Sequence, residues 1–279
     1  MKLFVSIHLF FAIILQIFTK NIFAQNKYFS INTGYNFGVS TTSLYFKTST
    51  NGIDYSNKKL DLSLGKGVNL DCNFGYLFNK YLAAELGISY LYGTNSTFEG
   101  LLNNVSSINH FTKTYASSII RFVPTLVISS GLVKINPYAK LGFIIGTASY
   151  TEKSEDIFEY NNGSSQVLLR TVKYNGGIAF GISNSIGISY LLKENVNLLL
   201  EINAVNLSYA ASKSEVLSIE LDGISQMAGR TVFDNQVEYF DDFSYSSSNP
   251  IDTNKPKKAM KENVSFNSIG LSVGARYQF

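Results

Sequence analysis

Six ionisable residues stand singly in segments where large apolar residues occupy every second position. Each of the six falls between two apolar positions, so it faces the opposite side of a strand. The six are Asp71, Glu85, Arg121, Lys140, Glu201 and Arg276. Three acids and three bases in one enclosed space can neutralise one another, whereas an unpaired buried charge is costly. The pattern predicts a plug of salt bridges, which we favour, or the wall of an ion-selective path.

The order of the segments suggests how these charges pair. Glu85 and Arg121 lie on neighbouring segments, and Lys140 lies one segment further along. Glu201 and Arg276 form a second neighbouring pair. We therefore expect Glu85 to contact Arg121 or Lys140, and Glu201 to contact Arg276.

Residue types suited to catalysis or metal binding are scarce. The chain has two histidines and one cysteine, and His110 is the only histidine after the first 24 residues. No Ser-His-acid spacing is legible, and such triads are recognised by geometry rather than by order. A single Cys excludes a disulfide framework and a Cys-rich zinc site, and Cys72 belongs to an apolar row. We predict that the chain is not an enzyme and has no metal site and no cofactor.

A long polar segment over residues 208–263 contains two charged runs. The acidic run consists of Asp234, Glu238, Asp241 and Asp242. The basic run consists of Lys255, Lys257, Lys258 and Lys261. These lysines could bind a partner or the phosphates of lipopolysaccharide. The alternative, which we favour, is that both runs are solvated or pair with each other.

Eight alternating segments position these residues. Period-two alternation over about 11 residues is typical of a tilted strand that crosses a membrane. A helix would not place large residues at every second position. The segments span residues 29–39, 68–78, 82–92, 118–128, 139–145, 178–190, 198–204 and 269–279.

Short and long connections alternate between these segments. Short periplasmic turns and long outer loops are typical of an up-and-down membrane barrel. Within the fourth loop, Val216 to Leu221 and Val232 to Phe240 are candidates for further strand. The long connections cover residues 41–60, 93–114, 149–174 and 208–263.

Two of the short connections also predict strand registers. The three-residue connection 79–81 would pair Gly75 with Glu85 and place both apolar rows on one face, as a hairpin requires. A turn near Ser130 and Gly131 would pair Phe122 with Ala139 and put both prolines of this hairpin close to the turn, where a missing donor is tolerated.

Composition narrows the class of protein. The chain has 279 residues, of which 45% are hydrophobic and 15% are charged, against ~25% charged in ordinary soluble domains. A mean hydropathy of +0.06 is too low for a bundle of membrane helices. The net charge of +3 gives no argument for a nucleic-acid partner. Interleaved Gly, Ser, Asn and charged residues are too polar for the lipid-binding lumen of a soluble secreted barrel.

The first 24 residues are typical of a secretory signal peptide. Lys2 precedes a largely apolar run over residues 3–18, and Ile22-Phe23-Ala24 forms a cleavage motif before Gln25. The run is shorter than the ~20 residues that span a bilayer. We expect residues 1–24 to be a signal peptide and residues 25–279 to be a barrel domain.

The last segment, SIGLSVGARYQF, ends on Phe279 and has Tyr277 two positions earlier. It resembles the C-terminal strand of bacterial outer-membrane β-barrel proteins, which their assembly machinery recognises. With the signal peptide and the other alternating segments, the chain resembles small outer-membrane barrel proteins of the eight-stranded, OmpA/OmpX-like kind. The absence of Trp departs from the usual aromatic girdles.

This resemblance implies an all-β fold, an antiparallel up-and-down transmembrane β-barrel of eight strands, with ten as the alternative. It implies a monomer in the outer membrane of a Gram-negative bacterium, with Tyr277 and Phe279 as the assembly signal.

The expected function is non-enzymatic. A filled polar lumen would act as scaffold, and the outer loops would serve surface binding, adhesion or envelope stabilisation. The expected partners are outer-membrane lipid and lipopolysaccharide, the barrel assembly machinery and an unknown extracellular ligand. The alternative function is a porin-like channel that passes small solutes or ions through the charged lumen.

Overall fold

The computed structural model describes the backbone of residues 26–39, 43–51, 54–103, 107–244 and 250–279. The predicted signal peptide, residues 1–24, lies outside the described residues. Among the described residues, no helix is long and apolar enough to cross a membrane.

Eight antiparallel strands form a closed ring, which confirms the predicted up-and-down barrel and the count of eight. In ring order they are β1 (Lys27–Gly38), β4 (Gly67–Leu77), β5 (Leu82–Gly93), β7 (Ser107–Ser129), β8 (Ile135–Tyr160), β10 (Ala179–Lys193), β11 (Val196–Ala210) and β17 (Ser268–Gln278). Pairing of β17 with β1, from Tyr28 opposite Gln278 to Gly38 opposite Ser268, closes the ring.

The expectation that the long connections are loops is wrong for much of their length. They contain β2 (Ser43–Asn51), β3 (Asp54–Asp61), β6 (Ser96–Asn103), β9 (Ser165–Asn175), β12 (Lys213–Leu221), β13 (Ile224–Ser225), α1 (Val232–Asn235), β14 (Gln236–Phe240), β15 (Lys257–Met260) and β16 (Asn263–Ser265). The candidate strand from Val216 to Leu221 is confirmed within β12. The candidate from Val232 to Phe240 begins instead with the helical turn α1 and is a strand only from Gln236.

Strands β7 and β8 extend well beyond the ring and carry a second layer. Their extensions pair with each other from Ser107 opposite Tyr160 onward. The sheet continues on one side to β6 and on the other side through β9, β12 and β14 to β15. Among the strands that the structure describes, only β14 and β15 pair in parallel. We call this continuous projection of strands the outer sheet.

Of the two predicted hairpin registers, the first is confirmed and the second is wrong. Gly75 lies opposite Glu85, as predicted. Phe122, however, lies opposite Ile145 rather than Ala139, because the turn between β7 and β8 covers residues 130–134 and is displaced from the predicted centre. One of the two prolines, Pro124, is therefore well inside β7, where the ladder with β8 skips Val123 and Pro124. Proline has no N–H to donate, which explains the gap.

Apolar side chains point outward from all eight ring strands. The exposed fraction of one such side chain from each strand ranges from 42% to 63%. These side chains are Ile31, Leu70, Ile88, Phe122, Phe143, Ile186, Leu200 and Leu271. We call the band that they represent the apolar belt.

The inside of the ring is layered, which the sequence did not predict. Near the outer sheet, the inward-facing Leu91, Ile119, Ile144 and Leu207 are fully buried in an apolar cluster. At the opposite end lies a smaller cluster of Tyr28, Ala83, Val127, Tyr138 and Leu199. Charged and amide side chains lie among and between these clusters. The predicted inward row of Gly, Ser, Asn and charged residues therefore describes only part of the lumen.

Inward glycines make room for two buried tyrosines. Gly75 lies opposite Tyr28, and a Cβ added at Gly75 would lie 2.1 Å from the Tyr28 ring. Gly187 lies opposite Tyr138, and the corresponding distance is 2.7 Å. The absence of a side chain at these positions allows each aromatic ring to lie across the neighbouring strand.

Candidate functional site

A compact set of buried charges lies inside the ring. Lys140 Nζ is 3.1 Å from Glu85 Oε2 and 2.8 Å from Glu201 Oε1. Arg276 Nη2 is 3.3 Å from Glu85 Oε1. Glu85, the most enclosed of the four, is only 2% exposed. We call Glu85, Lys140, Glu201 and Arg276 the lumen charge cluster.

Two tyrosines complete the hydrogen bonding of this cluster. Tyr28 donates its hydroxyl hydrogen to Glu85 over 2.8 Å, and Tyr138 donates to Glu201 over 2.7 Å. The Arg276 guanidinium lies 4.2 Å from the centre of the Tyr28 ring. Each buried carboxylate thus has both a cation and a phenol beside it. Desolvated charges are tolerated when they are paired and hydrogen-bonded in this way.

Of the pairs expected from strand adjacency, Glu85 with Lys140 is present, whereas Glu85 with Arg121 and Glu201 with Arg276 are not among the salt bridges of the described residues. Glu85 contacts Lys140 and Arg276, and it does not pair with Arg121; Glu201 pairs with Lys140 rather than with Arg276. The strands that carry Glu85 and Lys140 are two positions apart in the ring. Long side chains therefore meet across a narrow lumen. Their height along the barrel decides the pairing, and alternation alone does not reveal height.

The other two predicted lumen charges line a small polar cavity. Arg121 is buried and donates from Nη2 to Ser89 Oγ over 2.6 Å, while Asp71 accepts from Asn69 over 2.6 Å. The cavity has a volume of about 80 Å³ and also touches Glu85, Lys140 and Glu201. The structure therefore groups five of the six predicted lumen charges around one small cavity, and Arg276 contacts this group through Glu85.

Amide oxygens face this cavity without a protein partner. The Oδ1 atoms of four lining asparagines accept no hydrogen bond from the described residues; they belong to Asn32, Asn36, Asn69 and Asn203. Buried polar groups of this kind usually pair with ordered water. A water needs only ~10–15 Å³ of such volume, so this cavity has room for several.

A lid closes the lumen at the end where the outer sheet begins. We define the lid as residues 62–66 and residues 266–267. Leu64 and Phe266 are both buried within the apolar cluster of the barrel mouth. The Leu64 N–H donates to the carbonyl oxygen of Ser265 over 2.9 Å, and the Ser117 hydroxyl donates to the carbonyl oxygen of Leu64 over 2.9 Å. The lid residues lie outside the alternating segments, so the sequence pattern did not reveal them.

A row of aromatic rings runs across the outer sheet. Ring centroids are 5.6 Å apart for Phe98 and Tyr115, 6.4 Å for Tyr115 and Tyr150, 4.5 Å for Tyr150 and Tyr174, and 6.4 Å for Tyr174 and Tyr239. Tyr150 and Tyr174 are directly opposite each other on β8 and β9 and stack nearly parallel, with 9° between their planes. We call these five residues the aromatic ladder.

The aromatic ladder borders a larger cavity between the outer sheet and the lid. Its volume is about 370 Å³. Besides tyrosines, charged side chains line it, and two of them form a salt bridge of 3.1 Å between Lys113 Nζ and Glu152 Oε1. Glu152 also accepts a hydrogen bond of 2.9 Å from the Tyr115 hydroxyl. Alternation did not reveal this cavity, because most of its lining residues fall in connections that we expected to be loops.

The basic run of the fourth connection is partly paired. Lys255 Nζ is 2.9 Å from Asp252 Oδ2, and Lys261 Nζ is 2.7 Å from Asp241 Oδ2. The hydrogen bond from Lys255 holds the pKa of Asp252 below its usual value and raises the pKa of Lys255. Lys258 lies over the Phe240 ring at 5.5 Å, and Lys257 is exposed at the start of β15.

The remaining candidate residues are dispersed. His110 Nε2 is 4.0 Å from Glu159 Oε2, and both side chains are solvent-exposed. Cys72 lies on an outward row between Ile31 and Ile88. Tyr277 and Phe279 are exposed on the outer surface, with ring centroids 5.9 Å apart. In the described part of the chain, no three His, Cys, Asp or Glu residues are grouped closely enough to hold a metal ion.

Comparison with known proteins gives limited similarity. No protein-family model and no curated protein sequence matches the chain. The chain is similar to the crystal structure of Neisserial surface protein A at 12% identity and a TM-score of 0.32, over 91% of this chain and 97% of that chain. It is similar to CarO from Acinetobacter baumannii at 11% identity and a TM-score of 0.26, over 89% and 97% of the respective chains. The barrel assignment therefore rests on the strand pairing of the ring.

Proposed function

We propose that the chain is an integral outer-membrane protein. The apolar belt is the observation that carries this proposal, because it surrounds the ring on all eight strands. Soluble monomers rarely expose contiguous apolar patches beyond a few hundred Å². Closed barrels satisfy every backbone hydrogen bond between strands, and this allows them to lie in lipid.

The barrel acts as a closed scaffold rather than as a conduit or an enzyme. The lumen charge cluster is neutral overall and mutually paired, and the lid covers the outer end of the lumen. An open aqueous path needs a wide polar lumen, whereas an eight-stranded ring is about filled by its own side chains. The filled barrel would provide a rigid support for the outer sheet above the membrane.

The outer sheet is the part that meets the environment. The outer sheet is continuous with the ring strands β7 and β8, so the barrel holds it in a fixed position. We propose that the protein works as a monomer and serves surface binding, adhesion or envelope stabilisation. Lipopolysaccharide phosphates are the proposed contact of Lys255, Lys257, Lys258 and Lys261.

Membrane fractionation and conductance together test this function. The protein should sediment with outer membranes and show heat-modifiable migration in gel electrophoresis. Purified protein in planar bilayers should give no channel steps of stable size. Recovery as a soluble periplasmic protein would reject the membrane assignment.

A matched variant pair separates a scaffold from a channel. Replacing Arg121 by Gln alters the polar cavity, whereas replacing Lys193 by Gln alters an exposed site near a short turn. For a closed lumen, neither change should alter bilayer conductance. Stable channel steps whose ion selectivity changes with Arg121→Gln, but not with Lys193→Gln, would establish the porin-like alternative.

A further inference from the structure

We propose that the 370 Å³ cavity beneath the aromatic ladder is a binding site for a neutral saccharide unit. The inference rests on the proposed function, because it needs the outer sheet to face the exterior. The volume falls within the ~300–1,000 Å³ that is usual for small-molecule sites. The residues of its walls indicate the class of ligand.

Aromatic rings form one wall of this cavity. Tyr115, Tyr150, Tyr174 and Tyr239 all line it, and they come from four different strands. Stacking between neighbours fixes their orientation, and Tyr239 is further held by a 2.9 Å hydrogen bond between its hydroxyl and that of Ser214. A tyrosine offers an apolar ring together with a polar hydroxyl. A sugar ring has the complementary surface, with C–H groups on its faces and hydroxyls at its edge.

The charged groups of the wall balance one another. Lys113 and Arg170 supply two positive charges, and Glu152 and Glu262 supply two negative charges. A net-neutral wall gives no preference for a charged ligand. It does offer both donors and acceptors at the edge of the cavity, and a hydroxyl can act as either. A polyhydroxylated neutral molecule can therefore satisfy both kinds of group at once.

An apolar ligand fits these walls poorly. It would remove water from the Lys113–Glu152 salt bridge and from the tyrosine hydroxyls without replacing their hydrogen bonds. Burial of polar groups without replacement partners is unfavourable. Besides the tyrosines, the apolar residues of the wall are Leu62 of the lid, Ala211 and Val264. This mixture favours a sugar over a lipid tail.

Tyrosine fluorescence provides a direct measurement of binding, because the chain has no Trp and 18 Tyr. The protein is purified in an amine-oxide detergent, since maltoside and glucoside detergents would themselves supply sugar. Maltose, lactose and cellobiose are titrated separately. The highest sugar concentration is roughly ten times a dissociation constant in the millimolar range, so that binding at that affinity would approach saturation. N-acetylneuraminic acid and dodecanoate serve as anionic and apolar comparisons. We expect saturable binding of at least one neutral disaccharide and weaker binding of both comparisons.

Substitutions then locate the site. Tyr174→Ala removes the ring that lies between Tyr150 and Tyr239 and should weaken binding about five- to tenfold. Tyr174→Phe keeps the ring and should retain more of the affinity. Tyr160→Ala is the matched control, since Tyr160 lies at the end of β8 and contacts Gln166 instead of the cavity. Saturation-transfer NMR of the sugar gives a second readout that does not depend on the fluorescence of the substituted ring.

Several results would overturn the inference. The first is that none of the three neutral disaccharides binds to folded, heat-modifiable protein. The second is that the anion or dodecanoate binds more tightly than the sugars. The third is that Tyr160→Ala and Tyr174→Ala lose the same amount of affinity. The proposed membrane function has its own readouts, in fractionation and conductance. A negative sugar titration on properly inserted protein would therefore reject the saccharide site alone.

Discussion

Individual residues inside the ring act as a network rather than as separate pairs. Glu85 is the centre, because it contacts Lys140, Arg276 and the Tyr28 hydroxyl. Its removal leaves Arg276 without its salt-bridge partner, whereas Lys140 keeps its contact with Glu201. Breaking one member of a buried pair typically costs more than replacing both members.

Replacing Glu85 by Gln should destabilise the folded barrel by ~3–5 kcal/mol. Adding Arg276→Met should restore part of that loss, because it removes the cation whose salt-bridge partner has gone, while Lys140 and Glu201 still pair. Urea unfolding in lipid vesicles, followed by heat-modifiable migration, measures the coupling in a double-mutant cycle. Glu194→Gln, at an exposed turn, is the control and should be nearly neutral. Additive effects at Glu85 and Arg276 would show that the lumen screens these charges from each other.

Gly75→Ala should destabilise the barrel by ~1–3 kcal/mol, because the new Cβ would overlap the Tyr28 ring. The displaced ring would also lose its hydrogen bond to Glu85. The same unfolding assay applies. In a Tyr28→Ala background the ring is gone, so Gly75→Ala should cost much less. An equal cost in both backgrounds would mean that the two residues do not compete for the same space.

Elements differ in how far alternation predicts them. The eight ring strands were predictable because each has one face toward a uniform apolar surrounding, which gives strict period two in residues such as Ile186 and Ile188. The outer sheet has solvent on one side and a cavity or a neighbouring strand on the other. Residues such as Tyr150 and Tyr174 therefore follow no single alternation. The lid was not predictable, because Leu64 and Phe266 are buried by long-range contacts from short irregular segments.

Phe266→Ala should destabilise the protein by ~3–5 kcal/mol, since it leaves a cavity in the packed mouth of the barrel. Phe266 packs edge-on against Tyr209, with ring centroids 5.9 Å apart. Phe243→Ala, at an exposed position, is the control and should change stability by less than ~0.5 kcal/mol. Urea unfolding of both variants measures the difference. If both variants lose equally little stability, the lid does not contribute to the stability of the folded protein.

Helix α1 should become less ordered in acid. Asp234 accepts hydrogen bonds from the backbone N–H and the hydroxyl of Thr231, and these bonds hold the pKa of Asp234 below its usual value. A carboxyl with a lowered folded-state pKa stabilises structure above its unfolded pKa of ~4, and this contribution is lost as the pH falls through the folded value. Backbone hydrogen exchange across residues 231–236 should accelerate as the pH falls through the folded-state pKa of Asp234. Asp234→Ala should exchange fast at every pH and show no such step.

The whole molecule is a ring that carries a projecting sheet. Alternation predicted the ring, the count of strands and the first hairpin register. It offered Lys140 as one of two partners for Glu85, but it did not predict the contact of Glu85 with Arg276, because their strands β5 and β17 are not adjacent in the ring. Only the complete set of registers fixes the height of each inward residue. The cavity beneath the aromatic ladder depends on strand pairings between distant segments, such as Ser214 with Tyr174, which have no local signature.

Replacing Phe279 by Ser should lower the yield of assembled barrel far more than replacing Gln278 by Ser. Phe279 belongs to the outward apolar row and lies near Phe74, whereas Gln278 has the opposite parity. The heat-modifiable fraction in outer membranes is the measurement. Equal yields for the two variants would argue against Tyr277 and Phe279 as the assembly signal.

Closure of the ring by β1 and β17 has a consequence for biosynthesis. The strand that seals the ring is also the last ring strand to be translated, and its partner is the first. Every shorter nascent product is therefore an open sheet with two unpaired edges, and such edges readily pair with other chains. Pairing between such distant segments is also slow to form. We therefore expect the polypeptide to need protection from aggregation until its synthesis is complete, and a premature stop to yield an aggregation-prone fragment instead of a smaller barrel.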